Sequence, residues 1–409
     1  MVTIINAGHE PAVFVGIDWG GSHHQVCAVD AEGVVLIQRK IEHTVAGFAE
    51  IDSLLGAFAA SGTVRVSIER AEGILVEHLL ERGRRVFCIS PKISSRARER
   101  YRIANTTSDA FDAFVLADTL RHEHTHWRPI AHTTPSTAQI AALSRDRERV
   151  VVMQRAVESR LRATLEAYHP APLHLFSSLD RDITLAFIRD YPTATAAARV
   201  TEDRMRKFCA RHGYTGRVNP TILMERLQPH LLSGAEGTNT GKQASALMLV
   251  DHLELLNQQI RTFNAHLQQL VAAHPDGFIF TSFPGIATII AATMIGEMGD
   301  DRPRFPTVAT LLAEAGLASV TRASGRTRQV RFRYAANKRL RHSIDWWMTV
   351  AAREDPWSTH VYDTARTAGQ GRYRAYRGLG ARWTRILWRA WTDQQQFDPS
   401  RTHHEVPAA

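Results

Sequence analysis

Short apolar and β-branched runs alternate with helical periodicity over the N-terminal part of the chain. The runs predict five strands, at Val13–Asp18, His24–Val29, Val34–Ile41, Val64–Glu69 and Arg85–Ser90. Apolar residues at helical spacing predict two helices among them, at Val45–Ala60 and Gly73–Arg82. The first three strands read as an antiparallel meander, because a short turn separates the second from the third. The pattern therefore predicts a mixed α/β domain.

Helical periodicity dominates the rest of the chain. Two long helices, Ser136–Tyr168 and Lys242–Ala273, carry apolar residues near heptad spacing and predict an antiparallel coiled-coil arm. Between them we expect a smaller helical insertion, 173–241, with 233–241 as a flexible loop. Further helices are predicted within Phe280–Gly299 and at Thr307–Ala315, Arg339–Ala352, Thr359–Thr367 and Gly378–Trp391. The predicted division is an α/β domain at 1–132, an arm at 133–274, an all-α domain at 275–395 and a tail at 396–409.

The segment TSDAFDAFVLAD, 107–118, opens a predicted helix with two acids. Asp109 and Asp112 are three residues apart, so on a helix their side chains lie about 60° apart on one face. Two neighbouring carboxylates repel each other unless a cation lies between them. The alternative is an ordinary acidic first turn with Ser108 or Asp109 as its cap. Asp118 projects from the far side of the helix and cannot join the pair.

Two further acids end predicted strands. Asp18 closes the first strand and Glu69 the fourth, and either could be an ordinary polar strand end. The order βββαβαβ followed by an acidic helix is that of a ribonuclease-H-like domain, in which the first and fourth strands are neighbours. Asp18 and Glu69 would then meet beside Asp109 and Asp112. Four converging carboxylates are hard oxygen ligands, which suit Mg²⁺ or Mn²⁺.

The chain is basic, with 50 Lys and Arg against 41 Asp and Glu and a net charge of +9. Basic residues concentrate in the tracts 84–102, 322–341 and 366–389, the last interleaved with Tyr and Trp. Arginine binds phosphate and aromatic rings stack on bases, so nucleic acid is the expected partner, and a merely solvated surface is the alternative. Without an apolar membrane span, a signal peptide or paired cysteines, we expect a cytoplasmic protein with no membrane partner.

Ser324 lies in one of these tracts. Five arginines surround it: Arg322, Arg326, Arg328, Arg331 and Arg333. A serine in such a loop is usually a turn residue. Cationic neighbours would nevertheless stabilise a serine alkoxide and the charge that develops when it attacks a phosphodiester.

Six segments occur in this order along nearly the whole chain: GIDWG, SIER, TSDAFDAFVLAD, SFPGIATIIAATMIGEMGD, RFPTVATLLAEAGLASVTRASG and FDPSR. Together they resemble the insertion-sequence transposases of the DEDD type, also called bridge-RNA-guided or seekRNA-guided recombinases. The resemblance implies a RuvC-like N-terminal domain, a coiled-coil arm and a C-terminal transposase domain. By position, the family's four acids match Asp18, Glu69, Asp109 and Asp112, and its nucleophilic serine matches Ser324.

The resemblance also implies a reaction and partners. Ser324 would attack a phosphodiester and form a covalent link to DNA, assisted by Mg²⁺ on the four acids. A structured guide RNA would select donor and target DNA by base pairing. The active site would be assembled between protomers of a homo-oligomer, a dimer or tetramer. One departure is that the Lys-Thr-Asp triplet of the family is here Thr107-Ser108-Asp109, without the lysine.

Two other functions remain open from the sequence. In a metal-dependent, structure-specific nuclease of the resolvase type, water would be the nucleophile and Ser324 would have no role. In a noncatalytic nucleic-acid-binding scaffold, the four acids could be changed without loss of activity.

Overall fold

The computed structural model describes residues 12–60, 62–101, 108–131, 133–216, 218–325 and 327–401. The chain divides into two compact units, Met1–Thr133 and Thr134–Ala409. The first is mixed α/β and the second is mostly helical, which confirms the predicted fold class at that level. Thr107 of the acidic segment and Arg326 of the arginine cluster lie outside the described residues. Within the described ranges, every helix is too short or too polar to cross a lipid bilayer.

A five-stranded sheet forms the centre of the first unit. Its strands are β1 (Ala12–Trp19), β2 (His23–Val29), β3 (Val35–Glu42), β4 (Thr63–Ile68) and β5 (Arg85–Cys88). They lie in the order β3-β2-β1-β4-β5. The pairs β1–β2 and β2–β3 are antiparallel, whereas β1–β4 and β4–β5 are parallel. The predicted meander is confirmed, and the first and fourth strands are neighbours as expected.

Helices cover both faces of this sheet. They are α1 (Val45–Ala59), α2 (Ile74–Glu81), α3 (Pro91–Arg98) and α4 (Asp109–Glu123). Alternate side chains of β1, such as Val15 and Ile17, are buried with α1 and α2, while Phe14 is buried on the other face with α4. Helix α3 was not predicted. Its sequence, PKISSRAR, lies in a basic tract and lacks an apolar stripe.

Two long antiparallel helices open the second unit's core. They are α5 (Pro135–Glu166) and α11 (Glu236–Ala273). Side-chain pairs run in opposite directions along them, from Arg147 with Asn264 to Gln154 with Asn257, with hydrogen bonds of 2.6 Å in both cases. The prediction of a flexible loop at 233–241 is wrong from residue 236 onward, because α11 begins at Glu236.

The insertion between α5 and α11 has its own apolar core. Its helices are α6 (Pro172–Leu175), α7 (Asp182–Asp190), α8 (Ala194–Ala197), α9 (Glu202–Arg211) and α10 (Pro220–Leu227). Apart from the first residue of α6, these helices lie within 173–241, the segment for which a helical insertion is predicted.

The remainder of the second unit packs around three buried tryptophans, Trp347, Trp383 and Trp391. Its helices are α12 (Gly277–Thr281), α13 (Thr288–Met298), α14 (Val308–Glu314), α15 (Lys338–Glu354), α16 (Pro356–Thr367) and α17 (Arg372–Asp393). Residues of α5 and α11, including Ile140 and Leu267, belong to the same core. The predicted boundary between arm and C-terminal domain stays a prediction.

One element corrects the prediction of an all-α C-terminal region. The segment around Ser324 was expected to be a loop, but it forms a two-stranded antiparallel ribbon. Its strands are β6 (Val320–Ser324) and β7 (Thr327–Arg331). Apart from Val320, which is partly buried, all its described residues are exposed, so the sequence carries no alternation of buried and exposed positions that would reveal the strands.

Candidate active site

Two acids stand where neighbouring parallel strands end. Asp18 is the last residue but one of β1, and Glu69 directly follows β4. Because Ile17 pairs with Ile68 in the parallel ladder, both acids reach the same edge of the sheet. Ile17 and Ile68 are buried with α1 and α2, so the side chains of the next residues, Asp18 and Glu69, project toward the opposite face, where α4 packs.

Gly16 allows α4 to approach β1 closely. A Cβ atom at this position would lie 2.0 Å from the carbonyl oxygen of Ala113 and 2.5 Å from the backbone nitrogen of Ala117. Only glycine avoids this overlap. The close approach places the first turn of α4 beside the end of β1.

The first turn of α4 carries Asp109 and Asp112. Ser108 caps the helix, since its hydroxyl accepts a hydrogen bond of 3.3 Å from the backbone N–H of Phe111. The capping role considered for Asp109 is therefore filled by Ser108. Both carboxylates of this turn remain available for other contacts.

Asp118 lies apart from this pair, on the other side of α4. The residue is 3% exposed, and its carboxylate accepts hydrogen bonds from the hydroxyl of Tyr101 and from Nε of Arg121 at 2.8 Å. Its partners make it a buried structural acid.

The four predicted acids converge. Burial raises the pKa of Asp18, and the negative charges of Asp112, Asp109 and Glu69 raise it further, while Arg98 lowers it. The resulting pKa is about 6, against an ordinary value of 3.8. The ionised form of Asp18 is therefore disfavoured among its neighbours unless a cation compensates the charge.

Two residues of α3 contact the cluster, and sequence analysis did not find either. Nε of Arg98 donates a hydrogen bond of 2.7 Å to Oδ1 of Asp112, and its Nη2 lies 3.7 Å from Oε1 of Glu69. The hydroxyl of Ser94 donates to the same oxygen of Glu69. Two features of the sequence could have indicated them. Pro91 after a strand is typical of a helix start, and Ser94 and Arg98 are then one helical turn apart, close in sequence to the end of a strand.

The cluster is open to solvent at one end. The side chain of Asp109 is 68% exposed, and Nε2 of His23 lies 3.6 Å from its Oδ2. The side chain of Asp112, by contrast, is only 18% exposed. His23 is a third neighbour that sequence analysis missed, although it directly follows the WGGS segment at the end of β1.

The donor chemistry of these side chains fits a hard divalent cation, since carboxylate oxygens are the preferred ligands of Mg²⁺ and Mn²⁺. Their positions relative to one another do not form a metal-ligand group in this structure. In the part of the chain that the structure describes, no group of three or more His, Cys, Asp or Glu side chains is placed to hold a metal ion. The Arg98 guanidinium instead contacts Glu69 and Asp112.

Ser324 is presented differently, at the end of β6. It pairs with Thr327 across the turn of the ribbon, where Gly325 has φ 54°. That left-handed conformation favours glycine. Ser324 and Thr327 are both exposed.

The register of the ribbon sorts its side chains by face. Directly paired residues share a face, and successive pairs alternate. Arg322 pairs with Gln329, so these two lie on the face of Ser324. Arg331 lies on this face as well, and two hydrogen bonds of 3.0 and 2.6 Å join its guanidinium to Oε1 of Gln329. Arg328 pairs with Ala323 and lies on the opposite face.

Polar contacts fix the root of the ribbon. Nε of Arg333 donates to the carbonyl oxygen of Ala318 at 3.3 Å, and Nη2 of Arg341 donates to the carbonyl oxygen of Arg333 at 2.9 Å. Asn337, which caps α15, donates to Glu297 at 2.8 Å. Glu297 is 7% exposed and belongs to α13. Arg333 thus has a structural role at the root.

Two family models match parts of the chain. Residues 15–170 match a family model of DEDD transposases of the IS110 type, and residues 278–363 match the model "Transposase IS116/IS110/IS902 family". The first range includes all four acids, and the second includes Ser324.

Two relatives match along nearly the whole chain. The mini-circle putative transposase for IS117 of Streptomyces coelicolor is 33% identical over 408 residues, which cover 95% of this chain and 96% of that protein. A 42 kDa protein of insertion element IS900 from Mycobacterium paratuberculosis is 25% identical over 95% of this chain and 98% of that protein.

The chain has an α/β unit with converging acids and a mostly helical unit, and it matches transposases. Together these findings define its class: it is a DNA transposase, an enzyme that moves a mobile element. The chain belongs to the IS110 family of insertion-element transposases, the family of IS116, IS110 and IS902. DNA is accordingly its substrate, and the scaffold alternative does not fit.

Proposed function

We propose that this transposase cuts and rejoins DNA with divalent ions, Mg²⁺ or Mn²⁺, held by Asp18, Glu69, Asp109 and Asp112, and with Ser324 as the nucleophile. The observation that carries the proposal is the convergence of the four carboxylates, expressed in the raised pKa of Asp18. Four acids from two strand ends and one helix have no structural need to meet, and their mutual repulsion costs stability.

A divalent ion in this cluster would supply Lewis-acid polarisation of the phosphate and would stabilise the displaced oxygen. The chain's own residues supply the rest. Asp18 and Glu69 are held by the sheet edge, and Asp112 and Asp109 by the first turn of α4. The exposed Asp109 end of the cluster is the side from which DNA can approach.

The proposed covalent step begins with Ser324. Its Oγ forms a bond to the phosphorus of the scissile phosphodiester while the bond from phosphorus to the leaving DNA oxygen breaks. The hydroxyl proton of the serine passes to water, and the leaving oxygen takes up a proton. The hydroxyl oxygen of the incoming strand then forms a bond to the same phosphorus while the bond from phosphorus to Oγ of Ser324 breaks. The incoming hydroxyl gives its proton to water and Oγ takes one up, so the DNA is rejoined and Ser324 is free again.

Among the predicted nucleic-acid-binding arginines, the ribbon favours two for the reacting phosphate. Arg322 and Arg331 share the face of Ser324, whereas Arg328 does not. Guanidinium groups bind phosphate oxygens in a bidentate manner and stabilise charge in the transition state. Gln329 orients the Arg331 guanidinium for this contact. Arg326 completes the predicted set from outside the described residues.

Guidance by a structured RNA belongs to the same proposal. The net charge of +9 and the basic tracts provide phosphate-binding surface for RNA as well as DNA. We further propose that α5 and α11 serve as a coiled-coil arm in a homo-oligomer, and that the first unit is RuvC-like. Base pairing would then select the target, while the protein reads backbone and shape.

A second candidate is a resolvase-like nuclease that uses water as the nucleophile. The observation in its favour is that the acid cluster is assembled within the first unit, and such a cluster suffices for metal-assisted hydrolysis. It differs from the recombinase in one product, the covalent link between protein and DNA.

The experiment follows from that difference. The full-length protein is incubated with Mg²⁺, end-labelled DNA of the element with its flanks, and RNA transcribed from those flanks. Denaturing gels then resolve free cleaved DNA from DNA attached to protein. We expect an adduct with the wild-type protein and none with Ser324→Ala. The matched control is Thr327→Ala, which removes the hydroxyl opposite Ser324 on the same ribbon.

Normal cleavage by Ser324→Ala, without any adduct, would show that water is the nucleophile. An adduct that persists in Ser324→Ala but disappears in Thr327→Ala would show that Thr327, and not Ser324, is the nucleophile. Cleavage that no longer depends on divalent ions would remove the role proposed for the four acids.

A further inference from the structure

Helix α3 holds two of the four acids from one side. Ser94 and Arg98 are one helical turn apart on it, so their side chains lie on the same face. Ser94 donates to Glu69, and Arg98 contacts both Glu69 and Asp112. The helix thereby ties an acid at a strand end to an acid on α4.

The cation in this arrangement is a guanidinium. The nitrogens of Arg98 lie 2.7 Å from Asp112 and 3.7 Å from Glu69. A divalent ion of the Mg²⁺ type binds carboxylate oxygens at about 2.0–2.1 Å and therefore draws them closer together than a guanidinium does.

The ion pair of Arg98 with the acids can be broken by a competing cation. The side chain of Arg98 is 27% exposed, so water can solvate the guanidinium once it leaves the acids. Ion pairs whose side chains are partly exposed are screened by water and contribute modestly to stability. A divalent cation with two charges on one small ion competes well for the same oxygens.

We propose that Arg98 is an internal counter-cation of the acidic site. It occupies Glu69 and Asp112 while no divalent ion is bound, and a divalent ion must displace it to bind. Arg98 therefore lowers the apparent affinity of the site for metal and stabilises the metal-free protein. This inference rests on the metal-binding role of the acids under the proposed function.

Mn²⁺ binding to the full-length protein tests it directly, by isothermal titration calorimetry or by the electron paramagnetic resonance of free Mn²⁺. In Arg98→Gln the competing charge is gone, so we expect the dissociation constant for Mn²⁺ to fall about threefold to tenfold. Arg96→Gln removes the same charge from an exposed position on the same helix. In this matched control the constant stays within about twofold of the wild-type value.

Unfolding in EDTA supplies the second readout. In EDTA, the unfolding midpoint of Arg98→Gln should be lower than that of the wild-type protein. Addition of Mn²⁺ should raise the unfolding midpoint of Arg98→Gln by more than that of Arg96→Gln. Arg98→Lys, which keeps the positive charge, guards against a general effect of substitution and should bind Mn²⁺ with nearly wild-type affinity.

The outcomes separate the inference from the function on which it rests. If Arg98→Gln and the wild-type protein bind Mn²⁺ equally, the acids are a metal site and the counter-cation role is wrong. If Arg98→Gln binds Mn²⁺ more weakly, Arg98 assists the metal and the inference is likewise overturned. If neither protein binds Mn²⁺, the metal site fails and the inference fails with it.

Discussion

The two regions to which chemistry is assigned are built in opposite ways. The acids stand on a sheet edge and on a helix that packs against that sheet, with Ile17 and Ile68 fully buried beneath them. Ser324 stands on a ribbon that is almost entirely exposed on both faces. The fold of the first unit therefore sets the spacing of the carboxylates, whereas the surroundings of Ser324 must come from what the ribbon binds.

The electrostatics differ in the same way. The carboxylates repel one another, and the pKa of Asp18 rises because of it. The ribbon, in contrast, presents Arg322, Arg328 and Arg331 to solvent. The acid region therefore favours a cation and the ribbon an anion, in line with the divalent ion and the DNA phosphate proposed for them.

The largest expected effect is the loss of DNA cleavage in Asp109→Asn, a substitution that should leave the stability of the fold almost unchanged. Because this side chain is 68% exposed, Asp109→Asn should change the free energy of unfolding by less than about 0.5 kcal/mol. The rate of DNA cleavage with Mg²⁺ should nevertheless fall at least about 10³-fold, since a metal ligand is lost. Glu123→Gln, in the last turn of the same helix, should keep the wild-type rate. Cleavage by Asp109→Asn within tenfold of wild type would contradict the assignment.

The next effect concerns the rigidity of the acid region. In Gly16→Ala the new methyl group meets the backbone of α4 at Ala113, so α4 must move away from β1. Overpacking of this kind costs about 1–3 kcal/mol in the free energy of unfolding, measurable by urea titration. Gly21→Ala is the control, because a Cβ there has no neighbour within 4 Å. Equal stability of the two variants would show that α4 is not held as closely as described.

A smaller effect tests the faces of the ribbon. At saturating DNA, Arg322→Ala should reduce the cleavage rate about tenfold, because its guanidinium lies on the face of Ser324. Arg328→Ala, the matched control on the opposite face, should reduce it less than about threefold. Equal losses in the two variants would mean that the pairing register does not orient the ribbon on DNA.

The smallest effect is a pH dependence of stability. The pKa of Asp18 is raised, so its contribution to stability is present below about pH 4 and is lost as pH rises through about 6. Without divalent ions, Asp18→Asn should therefore be more stable than wild type at pH 8 and equally stable near pH 4. We expect about 1 kcal/mol at pH 8, because partial exposure screens the effect. A difference that does not change with pH would contradict the raised pKa.

The four acids could be singled out from the sequence for a physical reason. Buried strands such as β1 and β4 show as apolar runs, and an acid at the end of each run is visible as a break in the pattern. The pair Asp109 and Asp112 follows from helical spacing alone. Each acid is thus visible in local sequence, whereas the long-range pairing of the first and fourth strands was inferred from the ribonuclease-H-like order of elements.

The missed features depend on tertiary contacts or lack burial. Arg98 and Ser94 become part of the acid site only because α3 packs beside it, and α3 buries just Ser94 and Ala97. The Ser324 ribbon is almost wholly exposed, so neither strand shows the alternation that marks β-structure. The periodicity of apolar residues reflects burial, so it cannot reveal an element whose side chains are all exposed.

Metal binding by the four acids can be seen in a crystal structure of the protein grown with Mn²⁺, by anomalous scattering. We expect anomalous density among Asp18, Glu69, Asp109 and Asp112, with carboxylate oxygens about 2.1 Å from it. If saturating Mn²⁺ gives no density there and Arg98 stays bonded to Asp112, the four acids do not bind the metal.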